Sequence, residues 1–137
     1  MSHVNLGEVS SDIKDQVLEL DVLDALRDFI GSDPLRHYLS GFVENTAHNI
    51  QRIGMTIAAK DGQQIRHLAH NLKGSSGNIG ALKLAWQCVE LEALSAKGGS
   101  HEELIEQYQQ LESVFQDTQR EIESYINRLA TSQASFA

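Results

Sequence analysis

Apolar residues recur every three or four positions along most of this 137-residue chain, which is the spacing of one helix face. The first stripe, Val22, Leu26 and Phe29, predicts a short helix from Asp21 that Gly31 stops as its C′ residue. "GSDP" restarts the chain, with Ser32 or Asp33 placed to cap and Pro34 suited to a first helical turn. A long helix to about Ala59 then carries Leu35, Tyr38, Leu39, Phe42, Thr46, Ile50, Ile53 and Ile57. "KDG" at Lys60–Gly62 breaks it, and the pattern resumes from about Gln63 to Gly80. A further helix from about Ala81 to Ala96 turns Leu84, Cys88, Leu91 and Leu94 inward, and "KGGS" ends it. Ser100 with Glu103 reads as a capping box. The last helix carries Leu104, Tyr108, Leu111, Phe115, Thr118, Ile122, Tyr125 and Leu129.

With one proline and few β-branched runs, helix is favoured over strand throughout. The expected fold class is all-α: an antiparallel up-down four-helix bundle with a short additional N-terminal helix over one end. The bundle is assigned to residues 21–130, with 1–20 as an N-terminal tail or linker that docks late and 131–137 as a C-terminal tail. Trp86, Tyr108, Phe115 and Tyr125 are read as core.

Charge narrows the function. A net charge of −8 argues against nucleic acid or an anionic membrane as partner, since both need clustered Lys and Arg. No apolar stretch approaches the roughly 20 residues of a membrane span, and no signal-peptide pattern opens the chain. Cys88, the single cysteine, lies on an apolar face and fits a reducing cytoplasm. The acids are unevenly spread: none stands between Asp61 and Glu90, where Arg66, Lys73 and Lys83 lie with His67 and His70.

That locally basic segment contains "LAHNLKGSSGNIGALKL", with Gly74, Gly77 and Gly80 close together in a helical pattern. Each glycine in a helix interior costs on the order of 1 kcal/mol relative to alanine. On a wheel of about 100° per residue, Ile65, Leu68, Ala69, Leu72, Ser76 and Ile79 form the core stripe. His70 falls nearly opposite, among Gln63, Arg66, His67, Lys73, Gly74 and Gly77. Gly74 and Gly77 share its face, and their missing side chains clear the approach to the imidazole. Gly80, at another edge, eases the join to the next helix or a close contact. Ser75 and Ser76 fall nearer the core and bond the i−4 carbonyl.

An exposed, uncrowded imidazole flanked by cations suits nucleophilic acceptance of a phosphoryl group, with Lys73 and Arg66 offsetting its charge. Ser-His-Asp chemistry is set aside because no carboxylate is placed nearby to orient the ring. The glycine run follows no strand and lacks a GK[ST], so it is not a nucleotide loop. No facing Glu-x-x-His pairs offer a bundle metal site.

"AHNLKGSSGNIGA" resembles the signature of histidine-containing phosphotransfer (HPt) domains of bacterial phosphorelays, a pattern close to A-H-x-L-K-G-x-S-x-x-x-G. It falls here on Ala69, His70, Leu72, Lys73, Gly74, Ser76 and Gly80. The resemblance runs from about Val22 to Leu129, with "PLRHYLSGFVENT", "KDGQQIRHLAH" and "CVELEAL" also fitting. It implies a four-helix bundle in which His70 takes the phosphoryl group, at Nε2, with Lys73 stabilising charge and Gly74 giving access to the ring. It implies receiver domains as partners, of response regulators or of a hybrid kinase, meeting a rim of Gln63, Arg66, His67 and Gly77. The chain would carry no ATP site and no cofactor or metal of its own; Mg²⁺ would be supplied by the receiver. The expectation is a monomeric phosphorelay intermediate between two receiver aspartates, on the cytoplasmic side and without direct membrane contact. The chain reads either as a free-standing protein or as the C-terminal module of a hybrid sensor histidine kinase, and the linker-like residues 1–20 favour the module. The alternative is a helical interaction module that binds a signalling partner without being phosphorylated.

Overall fold

The computed structural model describes residues 15–134. Five helices follow in order: α1 (Leu20–Ile30), α2 (Ser32–Ala58), α3 (Gly62–Asn78), α4 (Leu82–Ala96) and α5 (His101–Ala134). No strand occurs among the described residues. The four long helices pack in a ring, α2 on α3, α3 on α4, α4 on α5 and α5 on α2, with no diagonal contact. Their short connections make each neighbour antiparallel, so the fold is the up-down bundle expected.

Three of the corners are built alike. In each, the residue after the C-cap has positive φ: Lys60 at 58°, Gly80 at 80° and Gly98 at 78°. The next N–H reaches back to a carbonyl of the last turn: Asp61 to Thr56 at 2.9 Å, Ala81 to Ser76 at 2.9 Å and Gly99 to Leu94 at 2.9 Å. This is the Schellman arrangement, which satisfies carbonyls the ending helix leaves open. At the first corner a lysine occupies the position that glycine prefers.

Helix length then decides where α1 goes. α2 has 27 residues and α5 has 34, against 17 for α3 and 15 for α4. At about 1.5 Å per residue, α2 and α5 outrun their partners and would expose apolar surface. α1 packs on that overhang. Leu23 is fully buried, and Tyr125 Oη on α5 donates to Asp24 Oδ1 at 2.9 Å. The residues just before α1, which the sequence places in a tail, are tied to the α3–α4 corner. Glu19 N donates to Gly80 O at 2.8 Å and Lys83 N to Gln16 O at 2.7 Å. Residues 1–14 of that tail lie outside the described residues, as do 135–137; α5 continues through Ala134.

The core follows the predicted stripes, with Leu39, Ile53, Ile65, Leu72, Ile79, Leu84, Leu91, Leu111 and Ile122 almost wholly buried. Cys88 is buried as expected, and burial, with Glu92 adding, pushes its thiol up to about 12, so it is inert. Some positions differ. Phe29 is 87% exposed and Leu23 takes the inward place in α1, because the last turn of α1 runs into the Gly31 corner with nothing over it. Tyr38 stands at the edge of the α2 stripe and is exposed, while Leu35 and Leu39 turn inward. Trp86 and Tyr108 are only half-buried. Gly31, not Ser32 or Asp33, is the α2 cap, and it makes no side-chain bond; Asp33 pairs with Arg36 instead.

Candidate functional site

Burying Ile65, Leu68, Ala69, Leu72 and Ser76 fixes the rotation of α3. Gln63, His67, His70, Gly74 and Gly77 therefore face outward, and all are exposed. The imidazole of His70 is 60% exposed. A Cβ added at Gly74 or at Gly77 would meet nothing within 4 Å, and neither residue has positive φ. Neither packing nor backbone conformation within the chain requires glycine there. Gly80 is the opposite case: its φ is +80° and a Cβ would lie 3.0 Å from Glu19 O, so it serves the close contact expected of it.

Residues that sequence spacing treats as equivalent part company here. Helical side chains lean toward the N-terminus of their helix, so Lys73, one turn after His70, leans toward the ring, and Arg66, one turn before, leans away. Arg66 is half-buried, with Nη1 3.4 Å from Ser95 Oγ on α4. Ser95 Oγ in turn donates to Gly62 O at 3.3 Å. Arg66 thus ties α3 to α4. Lys73 is half-buried and has no hydrogen-bond or ion-pair partner among the described residues. His67 Nε2 lies 3.3 Å from Asn71 Nδ2; the amide nitrogen can only donate, so that ring nitrogen is the acceptor. Ser75 Oγ donates to Leu72 O, three residues back, at 3.2 Å. Ser76 Oγ is buried without a partner, so neither serine makes the i−4 bond expected.

The absence of a carboxylate near His70 is overturned. Glu92 of α4 places Oε2 3.3 Å from His70 Nδ1. The carboxylate lies beside Nδ1, so its negative charge favours the tautomer that carries its proton there. No local spacing reveals Glu92. The available signal is the Gly80 corner, which folds α4 back along α3 and brings residues at similar distances from the turn side by side.

His70 stands at the surface and lines none of five cavities of 230–700 Å³ formed by the described residues. No group of three or more His, Cys, Asp or Glu residues suited to a metal occurs among the described residues. An exposed imidazole on a helix face cleared of side chains suits a macromolecular partner better than a small substrate.

The Hpt domain family model matches residues 37–131. The chain belongs to the Hpt domain family. Among solved structures it is similar to histidine-containing phosphotransfer protein B (HptB) from Pseudomonas aeruginosa PAO1. The two share 28% identity and a TM-score of 0.75, over 83% of this chain and 97% of that one. A putative histidine-containing phosphotransfer protein from rice shares the fold, with 18% identity and a TM-score of 0.75 over 93% of this chain and 91% of the other. A comparison with curated protein sequences found no match. The Hpt match spans most of α2 and the whole of α3 and α4, and so includes both His70 and Glu92. Among the described residues no helix is long and apolar enough to cross a membrane.

Proposed function

We propose that this phosphorelay intermediate carries its phosphoryl group on Nε2 of His70, taking it from the phospho-aspartate of one receiver domain and passing it to an aspartate of another. The observation that carries the reading is the approach of Glu92 to His70 Nδ1 at 3.3 Å on an imidazole that is 60% exposed, beside two glycines with open space over them. In the forward step the Nε2 lone pair attacks phosphorus, the bond from phosphorus to the aspartyl oxygen breaks, and the carboxylate leaves with that electron pair. The ring keeps its Nδ1 proton and becomes a phospho-imidazolium, whose positive charge Glu92 offsets. No proton need move, so the reverse step regenerates the starting imidazole directly. Lys73 neutralises the phosphoryl oxygens from one turn away. Gln63, His67 and Gly77 form the rim, while Arg66 acts mainly by holding α3 to α4. Mg²⁺ belongs to the receiver's side, where the aspartyl phosphate is held. We assign this exchange to the cytoplasm, as part of a hybrid histidine kinase relay.

The test is phosphotransfer from a panel of phosphorylated receivers to the wild type and to His70→Gln. Acid-labile, base-stable label on the wild type and none on the variant is the expected result. Binding without any label on the wild type would establish an unphosphorylated interaction module instead.

A further inference from the structure

The charge of this protein is segregated along the chain. From Asn45 to Val89 the chain holds five Lys or Arg and a single acid, Asp61, whereas the remainder holds six Lys or Arg and eighteen acids. Asp61 is the N-cap of α3, its carboxylate accepting from Gln64 N. Arg52 on α2, Lys60 at the corner, and Arg66 and Lys73 on α3 thus make this side of an acidic molecule locally basic.

The rotation of α2 places part of that basic side beside the site. Tyr108 of α5 donates to Ile50 O at 2.9 Å and lies against Gly54, so this edge of α2 faces α5. The opposite edge, with Asn45 and Arg52, borders α3, and His48 stands just outside it. The antiparallel turn at Lys60 brings Arg52 level with His67, and Asn45 level with Gly74. Asn45, His48, Arg52 and His67 are all exposed, and Arg52 has no ion-pair partner among the described residues. The other flank of His70 differs. Glu92 fixes the α3-facing edge of α4, and the residues sharing that edge are Leu82, Ala85 and Val89, all partly exposed.

We propose that the partner's docking element lies along α3 over Gly74 and Gly77, with an acidic edge toward Arg52, His48 and His67 and an apolar edge toward Ala85 and Val89. The occupant is a receiver domain whose docking surface is acidic on one side only. This rests on the relay reading above and adds to it the partner's charge and orientation. The argument is charge complementarity and continuity with the cleared face of α3. The basic side steers an acidic partner to the site, and the unlike flanks allow one orientation. Gly74 and Gly77 leave that face low enough for the partner's backbone to approach.

The experiment is rapid-quench phosphotransfer from an acetyl-phosphate-labelled receiver that transfers to the wild type. It compares Arg52→Glu, Val89→Asn and the remote Arg120→Glu at about 0.02 M and about 0.5 M salt. Arg52→Glu should lower kcat/KM roughly tenfold at low salt and approach wild type at high salt. Val89→Asn should lower it by a factor that salt does not change. Arg120→Glu, an equal change of net charge on α5, should stay within about twofold. Equal effects of the Arg52 and Arg120 reversals would overturn the acidic edge, and full activity of Val89→Asn would overturn the apolar one. Both failures would leave the relay reading intact, because the wild type is labelled. A wild type that no receiver labels would sink the relay reading and this inference together.

Discussion

His70 on α3 and Glu92 on α4 meet across the bundle surface, with Nδ1 and Oε2 3.3 Å apart. Both helices leave the Gly80 corner, and the corner sets their register. The pair is open to water, the two side chains being 60% and 33% exposed, so its contribution to fold stability is small. In the reaction proposed above, it favours one tautomer and balances a charge that arises only when the ring is phosphorylated.

Glu92→Gln should therefore slow transfer to His70 by about tenfold while leaving the melting temperature within a few degrees of wild type. Glu92→Ala, which also frees the tautomer, should cost more. Single-turnover labelling read beside thermal melts separates this from a structural role, which would lower both together.

Gly74→Ala should stabilise the folded protein by up to about 1 kcal/mol, since alanine is the better helix former and its methyl meets no atom. Phosphotransfer should fall at the same time, by about tenfold or more, if the partner occupies that space. Gly54→Ala is the contrast, because its Cβ would lie 2.6 Å from Tyr108 Oη. It should destabilise by about 1–3 kcal/mol without altering transfer by the folded fraction. Denaturant melts and labelling on both variants decide the matter.

Tyr125 ties α5 to α1 through Asp24, and burial first, then that bond, pushes its phenol up to about 12. A folded pKa above the unfolded one gives stability that is complete below about pH 10 and lost as pH climbs toward 12. Tyr125→Phe should lose about 1 kcal/mol at neutral pH and flatten the alkaline decline between those limits. An unchanged alkaline decline in the variant would show that another group governs it.

The capping box at α5 gives the acid counterpart. Ser100 N donates to Glu103 Oε1 at 2.9 Å, and Glu103 N donates to Ser100 Oγ at 3.1 Å. The bond from Ser100 N first, and then hydrogen bonding by the Ser100 side chain, hold the Glu103 carboxyl below its usual range. Here the folded pKa is the lower one. Its stabilisation is present above the unfolded carboxylate pKa and disappears as pH falls through the folded value. Ser100→Ala should destabilise by about 1 kcal/mol at neutral pH, and the deficit should shrink in acid, as urea melts across pH would show.

The three-four spacing of apolar residues by itself determined the helices and, in the four long ones, most of the inward face, because a helix buries one stripe whatever it packs against. The same spacing put His70 outside with Gly74 and Gly77, since residues three, four and seven apart share a face on any helix. The capping box and the helix-breaking corners were equally legible, being set by residues adjacent in the chain. Contacts between helices were decided only by the tertiary structure. Glu92 joined His70, and Arg66 turned to Ser95, because the corners set the register of α3 against α4. Phe29 was left in water because nothing covers the last turn of α1 at the Gly31 corner, and the overhang of α2 and α5, not the stripe on α1, fixed which side of α1 was covered.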